Sequence, residues 1–114
     1  MKAILKLKNK KIEILGIKKC QGINQVIGLM FKQKGTNALL FEFKKPTNQA
    51  IHSFFCPCFL AIWLDEKNNV LEYRLIASKK TNIKPKKQFS KLLELPLNKN
   101  YNNIIQILLA NKKV

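Results

Sequence analysis

Cys20, His52, Cys56 and Cys58 are the residues whose types could do chemistry together. Three thiols and one imidazole formally complete a tetrahedral zinc set. Structural sites usually separate paired cysteines by two to four residues, whereas Cys56-Pro57-Cys58 leaves one. On a strand those two thiols share a face, which suits a pair of small buried apolar side chains equally well. A disulfide from Cys20 to either of them is disfavoured in an ordinary cytosol. A Cys–His nucleophile pair needs its base within hydrogen-bond reach and a third group to orient it. His52 and Cys56 stand four apart, roughly 13 Å on extended chain, unless Pro57 folds the backbone back. The acids are scattered, and their one adjacent pair, Asp65-Glu66, lies in turn-forming sequence. No Gly-rich phosphate loop, His-Glu-x-x-His or Gly-x-Ser-x-Gly pattern occurs. These residues point to no enzyme, no cofactor and no resident metal.

The charge carries more. Of 114 residues 22 are Lys or Arg against six Asp or Glu, a formal +16. Arg74 is the one arginine. An AT-rich genome enriches Lys, Asn and Ile, but it also favours Glu, so codon bias alone does not explain the imbalance. A charge this large repels itself unless a polyanion offsets it. Bidentate reading of phosphate or guanine favours the arginine fork, whereas lysine is a flexible point charge. The composition therefore implies sequence-indifferent attraction to RNA, single-stranded DNA or another polyanion, set against a solvated lysine coat that keeps the protein in solution. The densest basic stretch is Lys79, Lys80, Lys84, Lys86, Lys87 and Lys91, with Phe89 inside it. Either Phe89 stacks on a base there, or it turns into the core and leaves a plain basic loop.

One domain is expected over residues 1–114, large enough to bury its own core. Ala3, Leu5 and Leu7 alternate with Lys2, Ile4, Lys6 and Lys8, and Lys11 to Ile17 alternates again after Asn9-Lys10, which reads as a hairpin. Ile23, Val26, Ile27 and Met30 space as one face of a short internal helix. Ala38 to Phe43 reads as a strand ended by Pro46. Ile51 to Leu64 is the most apolar stretch, one or two strands around Pro57, and returns through the turn Asp65 to Asn69 into Val70–Ile76. That return strand points Leu71, Tyr73 and Leu75 inward and Glu72 and Arg74 outward. A long basic loop runs from Ser78 to Ser90, followed by a strand over Lys91–Leu95. Asn98 fits a helix N-cap, and Tyr101, Ile104, Ile105, Leu108 and Leu109 form the stripe of a closing helix.

Four segments stand in order: Gly28-Leu29-Met30-Phe31, Leu39-Leu40-Phe41-Glu42-Phe43, Ile51-His52-Ser53-Phe54-Phe55 leading to Trp63-Leu64-Asp65, and Leu92-Leu93-Glu94-Leu95-Pro96. Together they resemble the domain of unknown function 192 family, in its archaeal form. The likeness spans Lys19 to Leu97 and implies a mostly β domain of sandwich type, with no reaction attached. The family's usual Pro and Asp before the Trp63 segment are replaced by Cys58 or Phe59 and by Leu60, and its Gly after the Glu-Leu-Pro turn by Leu97-Asn98, as in a diverged member.

The expected architecture is a small antiparallel β-sandwich or barrel-like domain, with one short internal helix and a C-terminal helix. The expected function is a non-enzymatic binding module with weak polyanion affinity. Its alternatives are an interaction protein or a small-ligand-binding sandwich whose cleft is lined by Phe54, Phe55 and Trp63. No continuous apolar run is long enough for a membrane span or an export signal, so a cytoplasmic location is expected.

Overall fold

The alternation of the first fourteen residues builds the first unit. β1 (Ala3–Leu7) pairs antiparallel with β2 (Lys10–Ile14), with Leu5 opposite Ile12 and Lys6 opposite Lys11. The turn falls on Lys8-Asn9, one residue earlier than expected, and Lys8 takes φ 55°. A computed structural model describes residues 1–20, 37–51, 58–77 and 82–112. The expected internal helix, Ile23 to Met30, lies outside the described residues, as do His52 to Pro57.

The second unit is a five-stranded sheet in the order β3-β4-β7-β5-β6, formed by β3 (Lys18–Cys20), β4 (Leu39–Thr47), β5 (Phe59–Leu64), β6 (Val70–Ile76) and β7 (Phe89–Pro96). All its pairs are antiparallel except β3 with β4, which is parallel and departs from the expected all-antiparallel sheet. β5 is buried at every residue because it lies inside the sheet with both faces covered. Each fully buried Leu or Ile of this strand contributes about 1.5–3 kcal/mol by removal from water.

Successive side chains of the sheet enter two separate cores. On one face Leu40, Leu60, Ile62, Leu93 and Leu95 meet Leu5, Leu7 and Ile14 of the hairpin, and Tyr101, Ile105 and Leu108 of helix α1 (Asn102–Lys112). On the other face Phe41, Phe59, Trp63, Phe89 and Leu92 gather with Ile51 and Ile83. The expected β class with a C-terminal helix is thus what the chain forms, as a sheet sandwiched by a ribbon and a helix on one side.

Several local expectations need correction. β4 runs through Pro46 to Thr47, because the ladder to β7 shifts register between Glu42 and Thr47 and asks no donor of the proline there. Leu75, expected inward, is 47% exposed: it lies on the edge strand β6, beyond the cover of the hairpin. β7 begins at Phe89 rather than Lys91, since Phe89 pairs with Thr47.

The helix start follows its cap. Asn98 Oδ1 accepts from the Asn100 N–H at 2.9 Å, and its carbonyl accepts from the Asn102 N–H at 3.0 Å. Tyr101 then fastens the helix to the sheet. Its hydroxyl accepts from the Ala38 N–H at 2.9 Å and donates to the Leu15 carbonyl at 3.0 Å. Gly16 takes φ 71°, and a Cβ there would stand 3.2 Å from that hydroxyl.

Candidate functional site

The turn joining β5 to β6 fixes where the hairpin sits. Asp65 Oδ1 accepts from the N–H groups of Lys67 and Asn69 at 2.9 Å each, and Oδ2 accepts from Asn69 Nδ2 at 2.9 Å. Partial burial would raise this carboxyl. The Asn69 amide, those two N–H groups and the charge of Lys6 outweigh it and hold Asp65 below the usual carboxylate range. Asn68 takes φ 67°, and its carbonyl accepts from the Lys6 N–H at 2.9 Å. The ribbon is thereby docked on the turn, with its apolar side down.

Its outer side is basic. Lys2, Lys6, Lys8 and Lys11 are exposed there, as is Lys67 in the adjoining turn, while Lys10, opposite Leu7, is exposed at the ribbon's end. Lys6 and Lys11 are direct cross-strand partners, a placement that costs stability through like-charge repulsion. Glu13 offsets part of it through Lys2 at 3.8 Å. Between ribbon and sheet lies a groove of about 370 Å³, floored by Leu40 and Leu64 and rimmed by Lys2, Glu42, Asn68 and Lys91.

The four described lysines of the densest basic stretch do not form one patch. Lys79 and Lys80 lie outside the described residues. Lys84, Lys86 and Lys87 are exposed beside β6. There the Arg74 guanidinium donates to the Lys84 carbonyl at 3.0 Å and pairs with Glu72, and Glu72 Oε1 accepts from the Lys86 N–H at 3.0 Å. Burial would raise Glu72, but the Arg74 hydrogen bond, the Lys86 N–H and their charges bring it below its ordinary value. Lys91 points the other way: it pairs with Leu64, on the hairpin face, and its Nζ donates to Asn68 Oδ1 at 2.8 Å. Phe89 is 1% exposed and packs edge-on to Phe43 and Trp63, so it offers no base-stacking surface.

Of the thiol and imidazole set, Cys20 ends β3, while His52 and Cys56 lie outside the described residues. Cys58 is a free, exposed thiol. The reading of Cys58 as a buried apolar side chain fails because it precedes the first ladder residue, Phe59. Among the described residues no three His, Cys, Asp or Glu side chains gather as a metal site. Phe54 and Phe55 of the expected ligand cleft lie outside the described residues, and Trp63 is wholly enclosed.

Sequence reasoning passed over one group. Glu94 is 6% exposed, and its Oε2 has no hydrogen-bond partner; nor has the indole Nε1 of Trp63. Burial alone pushes the Glu94 carboxyl up to about 8, so it is protonated at neutral pH. The signal was the lone acid inside Leu92-Leu93-Glu94-Leu95, a strand apolar on both faces.

No family model matches the chain, and no curated protein does. Among described residues, no helix is long and apolar enough to cross a membrane. The fold is similar to the crystal structure of a protein from Sinorhizobium meliloti 1021 described as a "putative transcription regulator". The TM-score is 0.68 at 10% identity, over 90% of this chain and 83% of that one, a likeness that shows the fold alone.

Proposed function

We propose that this protein is a non-enzymatic module that binds single-stranded nucleic acid or RNA weakly and without sequence preference, through the lysines of the β1–β2 ribbon and of the 84–87 loop. The observation that carries this reading is the state of its acids. Glu13 pairs with Lys2, Glu42 with Lys19 and Glu72 with Arg74, Asp65 is committed to its own turn, and Glu94 is buried and neutral. The pairs already count in the formal +16, and the neutral Glu94 raises it to about +17, with Glu66 the one acid left exposed outside these contacts; Lys6 opposite Lys11 keeps a repulsion that a bound phosphate relieves. Lysine rather than arginine supplies the charge, which suits attraction without base reading. That a protein of this fold is described as acting in transcription is in line with the reading. We also read the chain as a diverged member of the domain of unknown function 192 family, on its four ordered motifs.

Lys11→Glu tests the ribbon. It turns a cross-strand repulsion into an attraction, so the fold should gain about 0.2–1 kcal/mol. Affinity for a labelled single-stranded oligonucleotide at low salt should fall in the same variant. A lysine coat that serves only to keep the protein in solution predicts the gain in stability with no change in binding, and that result would overturn the proposal. The triple variant Lys84→Glu, Lys86→Glu, Lys87→Glu tests the loop in the same titration.

A further inference from the structure

We propose that Glu94 and Trp63 together form a buried site for a hydroxyl oxygen, held between the Glu94 carboxyl and the Trp63 indole N–H. The sheet register brings the two side chains to one place. Glu94 of β7 stands opposite Ala61 of β5, and Trp63 stands opposite Leu92, so the two are diagonal neighbours on the same face. Diagonal neighbours lie about 7–8 Å apart at the backbone, within reach of an aromatic and a long side chain. Yet Oε2 and Nε1 are both buried and both unpartnered, so they do not bond to each other. Leaving a buried polar atom unpaired costs stability, and here two such atoms belong to diagonal neighbours on one sheet face.

Among the described residues, the ladder neighbours of Glu94 offer neither atom another partner. Leu39 and Ala61 flank Glu94 across the ladder. Beyond Ala61 stands Arg74, whose guanidinium lies 5.3 Å from the Trp63 ring and is committed to Glu72 and the Lys84 carbonyl. Ala61, the smallest side chain of this row, fills the least space between carboxyl and guanidinium. Neither group can swing to solvent, since both stand on interior strands.

The chemistry of the two atoms selects the occupant. The indole N–H only donates, while a carboxyl both donates and accepts when it holds a proton. A hydroxyl accepts from the indole and either donates to or accepts from the carboxyl, so it fits whichever carboxyl oxygen carries the proton. An ammonium cannot accept from the indole. One oxygen at about 2.7–3.2 Å from each atom would satisfy both. Water is the smallest such occupant; the hydroxyl of a small organic molecule presents the same group.

Trp63 is the sole tryptophan, so its indole N–H gives one unambiguous proton–nitrogen resonance in the full chain. A trapped water should give that proton a direct cross-relaxation peak to solvent water. An organic hydroxyl should instead appear as a small molecule released when the purified protein is denatured and weighed. Glu94→Leu should abolish whichever signal is found, and Glu94→Gln, which keeps hydrogen-bonding atoms at the position and serves if the leucine variant does not fold, should retain it. An indole proton with neither a water peak nor a released molecule would overturn the proposal, as would a signal indifferent to Glu94→Leu.

Discussion

Glu94→Gln should make the protein more stable at neutral pH, by an amount that grows with pH in a defined window. The wild-type carboxyl is raised from 4.5 to about 8 by burial. Between those values the folded chain holds a proton that the unfolded chain has released. Stability changes with pH as the unfolded minus the folded proton count, so here it falls as pH rises. The loss begins near pH 4.5 and levels off above about 8. Each pH unit inside the window costs about 1.4 kcal/mol. The penalty is therefore near zero at pH 4, about 3 kcal/mol at pH 7 and about 5 kcal/mol on the plateau. Against a typical domain stability of about 5–15 kcal/mol, that is a large fraction. The glutamine amide keeps the shape and cannot ionise, so it removes the slope while leaving its own constant hydrogen-bonding cost. Urea unfolding of both proteins at pH 4, 7 and 9 measures the difference, and contributions common to both cancel in it. Wild-type and variant stabilities that run parallel from pH 4.5 to 8 would refute the claim that Glu94 is buried and protonated.

Three further outcomes follow from named contacts. Tyr101→Phe leaves the Ala38 N–H and the Leu15 carbonyl without their shared hydroxyl and should cost about 1–3 kcal/mol in urea unfolding. Gly16→Ala should cost about 1 kcal/mol or more, from its left-handed φ and the crowding against Tyr101, with the helix signal in circular dichroism retained. Asp65→Ala should cost about 2 kcal/mol at neutral pH by stripping the turn of its carboxylate. Because the Asp65 carboxyl sits below its ordinary 3.8, its contribution is present above that value and is lost as pH falls through the lower folded one. The gap between wild type and Asp65→Ala should therefore close in strong acid.

What could be read from the residues was local. Strict alternation located β1 and β2, the Asp-Glu-Lys-Asn-Asn run located the β5–β6 turn, and the 3.6-residue stripe from Tyr101 to Leu109 located the helix. What escaped was set by partners distant in sequence. Lys18–Cys20 is too short and polar to show a period, and becomes a strand only because β4 lies beside it. Pro46 stays within β4 because the ladder bulges there. The strand order β3-β4-β7-β5-β6 inserts β7 between β4 and β5, and it decides which lysines face together. That is why one basic run divides, with Lys91 on the hairpin face and Lys84 to Lys87 beside β6. Glu94 looked like one more acid in a motif, and its burial depends on β4 and β5 closing on either side of β7.

As proposed, the positive surface binds nucleic acid by charge alone. The most direct measurement is the salt dependence of wild-type binding to two single-stranded oligonucleotides of equal length and unrelated sequence, followed by fluorescence anisotropy. Counterion release gives a log–log slope of about −0.7 per neutralised phosphate on single strands, so four to six engaged lysines predict a slope of about −3 to −4. That slope is expected for both sequences, with affinities that agree at every salt concentration. No association at low salt, a flat salt response, or a strong preference for one sequence would contradict it.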